Sequence, residues 1–176
     1  ALVLDDLLLN RAAVAHADRS NKDPLSTFDH SLRTLENALD MCRDTIEHFI
    51  YLSSSMVYES STVFPTPEGA QLTSPPPIST YGFQKLASEY FAKGAWEQFQ
   101  LPYTIVRPFN CVGIGERRAV RDTDIMSGNV KLALSHVVPD LVLKILKGQD
   151  PLHILGEGNQ VRHYTYGGDL AHGIRL

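Results

Sequence analysis

Two short stretches, HFIYLSS at residues 48–54 and YTIVR at residues 103–107, constrain this chain more than anything else in it. Both are of strand length; the first is a continuous apolar run rather than an alternating one, and the second reads as another buried strand. A strand built from such a run must be covered on both faces, which is the condition inside a parallel sheet. Parallel neighbours need a long crossover between them, and the intervening sequence supplies one. A helix is predicted from about Thr80 to Gln100, with Leu86, Tyr90, Phe91 and Phe99 on or near one stripe. Another is predicted from about Ser26 to Arg43, with Phe28, Leu32, Leu35, Leu39 and Cys42 at helical spacing, and Leu7–Asn10 reads as a buried strand ahead of it. Strand, helix, strand, helix, strand is the order of an α/β fold with a parallel sheet.

Residues 60–79, with Pro75, Pro76 and Pro77, read as loop. After Val112 the character changes. Residues 113–135 are polar and irregular, Pro139–Lys147 reads as a short helix closed by Gly148, His153–Leu155 as a short strand turning at GEGN, and Arg162–Tyr166 as a last strand. Two regions are therefore expected, 1–112 and 113–176. The chain opens on Ala1 inside an apolar run and stops at Leu176 within a helical pattern, so a piece of a longer protein is expected.

The 176 residues are 43% hydrophobic, enough for a sizeable core, and carry a net charge of −4. The densest basic group, Arg117, Arg118 and Arg121, is offset by Glu116, Asp122 and Asp124, so neither nucleic acid nor an anionic membrane is an expected partner. The two cysteines, Cys42 and Cys111, and the dispersed histidines form neither a disulfide framework nor a metal-ligand spacing. With no signal peptide and no membrane-spanning apolar run, a reducing cytoplasm is the expected compartment.

Tyr81 and Lys85 stand four residues apart on the predicted helix and therefore on one face. A phenol titrates near 10, and acting as a base at neutral pH requires a fall of roughly three units, or about 4 kcal/mol. A lysine ammonium in a desolvated cleft supplies charge of the right sign. Ser53, Ser54 and Ser55 follow the apolar run at 49–52. The carboxyl ends of parallel strands are where ligands bind in open α/β sheets, and a serine there can hydrogen-bond the same substrate hydroxyl that Tyr81 would deprotonate.

LSSSMVY, STYGFQKLASEYF, VRPFNCVG and PDLVLKILKGQDPLHILGEGNQVRHYTY follow one another in an order that resembles the extended short-chain dehydrogenases/reductases, where sugar-nucleotide epimerases and dehydratases, including UDP-glucose 4-epimerase-like enzymes, predominate. The resemblance implies a Rossmann-like, doubly wound parallel sheet lacking its first strands and Gly-rich turn, plus part of a smaller substrate-binding region. It implies Tyr81 as catalytic base, Lys85 as its partner and holder of the nicotinamide ribose, and Ser54 as the catalytic hydroxyl. Ala12, Ala13 and Ser53 would line the cofactor, and Pro108 and Phe109 would lie against the nicotinamide. Ser54 and Ser55 would meet the sugar, Asn110 and Arg162 the diphosphate, and His136 and Val137 the nucleotide base. The implied cofactor is NAD, with NADP open, and the implied partners are a nucleotide-diphosphate sugar and a second copy docked through the helices near 26–43 and 80–100.

Departures from the family pattern bear on the reaction. No GxxGxxG occurs, His30 and Asn10 stand where the family has Asn and His, Ala15 stands where some 4-epimerases place Lys, and Gly167-Gly168 replaces bulkier residues. Ser55 and Met56 occupy positions where the 4,6-dehydratases carry an acid. Epimerisation is therefore the expected reaction, with an NADPH-dependent keto-sugar reductase, a 4,6-dehydratase and a non-catalytic nucleotide- or partner-binding relative as alternatives.

Overall fold

The computed structural model describes residues 2–4, 7–10, 23–114, 125–127, 130–132, 137–154 and 156–176. They divide into two compact units, Ala1–Pro108 and Phe109–Leu176. The first is built on a four-stranded sheet in the order β1 (Leu2–Leu4), β2 (Leu7–Asn10), β3 (His48–Leu52), β4 (Tyr103–Val106). Strands β2, β3 and β4 run parallel, with Leu8 opposite Phe49 and Phe49 opposite Tyr103. β1 departs from the parallel expectation. It pairs antiparallel with β2, from which two residues separate it in sequence, too short a connection for a parallel crossover.

Helix α1 (Pro24–Cys42) joins β2 to β3, and α2 (Thr80–Phe99) joins β3 to β4. The α1 start is set by Asp23, whose carboxylate accepts from the Ser26 amide at 3.3 Å, and by Pro24, which has no amide to leave unsatisfied. Ser79 caps α2, accepting from the Gly82 amide at 3.1 Å, and Gln100 closes it in the left-handed conformation with its amide on Trp96 O. Leu35, Ala38, Leu39 and Cys42 from α1 meet Ala92 and Ala95 from α2 over Phe49 and Tyr51 of β3, forming the core.

The helix faces differ from those expected. In α1 the buried stripe runs Thr27, Ser31, Leu35, Ala38, Leu39, Cys42, which leaves Phe28 exposed. In α2 it runs Gly82, Gln84, Lys85, Ser88, Glu89, Ala92, Ala95, while Phe83, Tyr90, Phe91, Trp96 and Phe99 face outward. Small side chains let α2 approach its neighbours closely, and the polar ones carry the candidate site. Closest is Gly82, where an added Cβ would lie 2.7 Å from both Met56 O and Pro77 Cβ.

Residues 55–58 form a single 3₁₀ turn directly after β3. A second, Ala70–Leu72, interrupts the stretch expected as loop throughout. In the second unit β5 (Asn110–Val112) pairs parallel with β8 (Tyr164–Tyr166). The hairpin of β6 (Ile125–Ser127) and β7 (Val130–Leu132) lies in the segment expected to be irregular. These strands have three residues each, too few for periodicity to register. Helices α3 (Val137–Leu146) and α4 (Gly167–Arg175) complete the unit. The strand expected over His153–Leu155 is absent at 153 and 154, and Leu155 lies outside the described residues. The strand expected from Arg162 begins at Tyr164, where pairing with β5 begins. Among the described residues no helix is long and apolar enough to cross a membrane.

Gly82→Ala is expected to lower stability by about 1–3 kcal/mol through overpacking against backbone and proline. Gly69→Ala, where an added Cβ meets nothing within 4 Å, should stay within about 0.5 kcal/mol. Urea denaturation of the two variants checks the contrast.

Candidate active site

The carboxyl end of β3 gathers the first unit's chemical groups. As the chain leaves β3, the Ser53 amide donates to Val106 O at 2.8 Å and the Ser55 amide to Pro108 O at 3.1 Å, so β4 holds the serine segment extended. Ser54 caps the 3₁₀ turn, its Oγ accepting from the Met56 amide at 3.2 Å. That turn packs on the start of α2, where Tyr81 and Lys85 sit.

Tyr81 is half-buried. Burial pushes its phenol upward, and a hydrogen bond with Ser54 opposes the rise. The expected tuning by Lys85 is not among the influences on Tyr81. Lys85 is buried and committed elsewhere: its Nζ donates to Leu52 O at 2.8 Å and lies 5.2 Å from the centre of the Tyr51 ring. Burial lowers the Lys85 ammonium to about 8, with Glu89 opposing. Ser53 is buried, and its Oγ finds no hydrogen-bond partner among the described residues.

Beneath this set lies an ion pair that the sequence reading missed. Arg107 donates from Nε and Nη2 to the two Glu89 carboxylate oxygens, both at 2.8 Å, and from Nη1 to Tyr58 Oη at 2.6 Å and Glu68 O at 2.8 Å. The side chains are 17% and 5% exposed, so the fork is largely desolvated. Glu89 falls one turn after Lys85 on the Tyr81–Lys85 stripe, and Arg107 ends the second apolar run. Those two placements were the available signals.

The other expected site residues fall in several places. Pro108 closes the first unit and is half-buried. Phe109, Asn110, Val137 and Arg162 belong to the second unit. There Phe109 meets the His163 ring edge-on, with centroids 6.4 Å apart, and the Asn110 amide donates to His163 O at 3.0 Å. The exposed Arg162 donates to its neighbour Val161 O at 2.8 Å and makes no ion pair among the described residues. Val137 is exposed at the start of α3. Ala12, Ala13 and His136 lie outside the described residues. Among the described residues no group of His, Cys, Asp and Glu could hold a metal.

The sequence model of the NAD dependent epimerase/dehydratase family matches residues 4–176. A Bacillus subtilis protein described as an uncharacterized UDP-glucose epimerase is 29% identical over 150 residues, covering 82% of this chain and 40% of its own length. The solved UDP-N-acetylglucosamine 4-epimerase of Methanobrevibacter ruminantium, in complex with UDP-N-acetylmuramic acid, superposes with a TM-score of 0.78 at 27% identity, over 95% of this chain and 49% of that one. An NAD-dependent NDP-hexosamine 5,6-dehydratase of tunicamycin biosynthesis superposes at 0.73, also at 27% identity, over 97% of this chain and 50% of that one. The chain spans about half the length of the curated relatives it matches.

Lys85 makes stability depend on pH. Its folded value is about 8 and its usual value 10.5, so between the two the unfolded chain binds the extra proton. Stability therefore rises with pH across that window, and this contribution is lost as pH falls through the folded value. Lys85→Met is expected to remove that component, seen as a smaller gain in urea midpoint between about pH 8 and 10 than in the wild type. Equal gains in both proteins would contradict it.

Proposed function

The chain belongs to the NAD-dependent epimerase/dehydratase family, and from that premise we propose that the whole protein epimerises a nucleotide-diphosphate sugar at C4 by transient oxidation. The observation that carries the reading is the convergence of Ser54, Tyr81 and Lys85 at the carboxyl end of β3. Two buried polar groups there suit the hydroxyls of a cofactor ribose: the unpartnered Ser53 Oγ and the Lys85 ammonium. Pro108 and Phe109, which follow Arg107 after β4, would meet the nicotinamide, and Ala12 and Ala13 would line the cofactor. NAD, when bound, supplies the hydride acceptor.

The chain's own residues handle the proton. Ser54, hydrogen-bonded to Tyr81, orients the sugar hydroxyl, and Tyr81 Oη takes the proton as the C–H bond breaks. Burial alone keeps the Tyr81 phenol protonated, so ionisation requires cationic charge in the closed site, and Lys85 is the chain's contribution. After the keto-sugar turns over, Tyr81 returns the proton and the sugar leaves inverted. Asn110 and Arg162 would take the diphosphate, where an exposed guanidinium fork suits two phosphate oxygens. Val137 and His136 would border the base. The free thiols of Cys42 and Cys111 accord with a reducing compartment such as the cytoplasm.

A dehydratase reading is favoured by one finding, the likeness to the 5,6-dehydratase. Against it stand Ser55 and Met56, neither of which can move a proton as an acid or base near neutral pH. Incubating the whole protein with UDP-sugars distinguishes the readings. The expected product is the C4 epimer with no net change in NAD. Stoichiometric cofactor consumption would mean a reductase, loss of water a dehydratase, and no turnover a binding protein. Tyr81→Phe is expected to slow epimerisation about 10²–10⁴-fold.

Homodimerisation forms part of the same proposal. Phe28, Tyr90, Phe91 and Trp96 are exposed on α1 and α2, and a groove of about 660 Å³ between these helices is lined by Leu32, Leu35, Leu39, Phe91, Ala95 and Phe99 among others. A matching pair of helices from a second copy would cover this apolar area. Sedimentation should show a dimer that Phe91→Asp converts to monomer. A monomeric wild type would contradict it.

A further inference from the structure

Lysine and glutamate four residues apart on a helix normally meet. Lys85 and Glu89 have that spacing and are both buried, yet among the described residues Lys85 makes no ion pair. The Glu89 carboxylate instead spends both oxygens on the Arg107 fork. Arg107 is itself fixed by Tyr58 Oη and Glu68 O, and its guanidinium lies 5.2 Å from the centre of the Tyr58 ring. The Lys85 ammonium points to the end of β3, where it reaches Leu52 O.

We propose that the Arg107–Glu89 pair is a positioning device for Lys85, holding a buried negative charge one helical turn from the ammonium while keeping that carboxylate from capturing it. Each half has a separate effect. A buried cation without a counter-charge loses its proton, so Glu89 keeps Lys85 charged. A direct Lys85–Glu89 pair would draw the ammonium away from the strand end and occupy donors that a ribose needs, so Arg107 keeps it available. The opposing influences of burial and Glu89 on Lys85 agree with the first half.

Among the described residues Glu89 is the carboxylate that acts on Lys85, while Glu59, just beyond the 3₁₀ turn, accepts from the Ser79 amide at 2.8 Å. Tyr81 and Glu89 come from α2 itself, Tyr51 from β3, Tyr58 from the 3₁₀ turn, and Arg107 from the segment after β4. α1 buries only uncharged residues, and its Asp29, His30, Arg33, Glu36 and Asp40 are exposed.

The role assigned to the ammonium rests on the function proposed above, but its charge can be read without substrate. Following the Lys85 Cε chemical shift by NMR against pH gives the titration midpoint in the whole protein. Glu89→Gln, nearly isosteric and still able to accept from Arg107, should lower the midpoint by about one unit, and Arg107→Met, which frees Glu89 to turn to Lys85, should raise it. In active protein the alkaline limb of kcat/KM should move with the midpoint in each variant. A merely structural pair would shift thermal stability and leave the midpoint in place. An unchanged midpoint in folded Glu89→Gln, or shifts of the same sign in both variants, would overturn the proposal. Should Arg107→Met not fold, Glu89→Gln alone decides. An inactive wild type with opposite midpoint shifts would refute the proposed reaction and leave the Lys85 device standing.

Discussion

The bond from the Lys85 ammonium to Leu52 O ties helix α2 to the last residue of strand β3. Much of the first unit is arranged to make it possible. Gly82 lets the helix start lie against Met56 and Pro77. Ser79 caps that start, and Ala92 and Ala95 keep the far end close over Phe49 and Tyr51. The result is a charged group where parallel strands present their carboxyl ends, the place where α/β sheets receive ligands.

Burying such a group is costly, and the molecule buries an ion pair, Arg107 with Glu89, one helical turn further along α2. A desolvated ion pair is weak evidence of stabilisation, because desolvation offsets much of the attraction. Its value here lies in placement. The fork fixes a negative charge behind the lysine, joins the segment after β4 to α2, and through Tyr58 and Glu68 holds the loop after the 3₁₀ turn. Three segments distant in sequence thus share one buried polar cluster.

The sheet was legible because HFIYL and YTIV are apolar throughout most of their length, and length and composition alone separate such runs from helices. The helix positions were legible too, but their faces were not. Periodicity reads large apolar residues as inward, whereas α2 buries Gly, Ser and Ala and turns Tyr90, Phe91 and Trp96 outward. Tyr81 and Lys85 stand out in the sequence through the company they keep, whereas Glu89 has no such company and was not singled out. Strands as short as β5 and β8 are set by pairing across more than fifty residues of sequence, which no local pattern records. Asn110 and Arg162 were read from a resemblance alone. The structure shows their own hydrogen bonds, to His163 O and Val161 O, within the second unit.

In the proposed reaction, hydrogen leaves a sugar carbon as hydride and returns to the same carbon from the other side. The most direct measurement is the fate of that hydrogen. A UDP-sugar carrying deuterium at C4 should be inverted by the whole protein with the deuterium retained at C4 and none taken up from deuterated solvent. Loss of the label to water, or solvent deuterium at the inverted carbon, would contradict the account, because the C4 hydrogen would then have left as a proton.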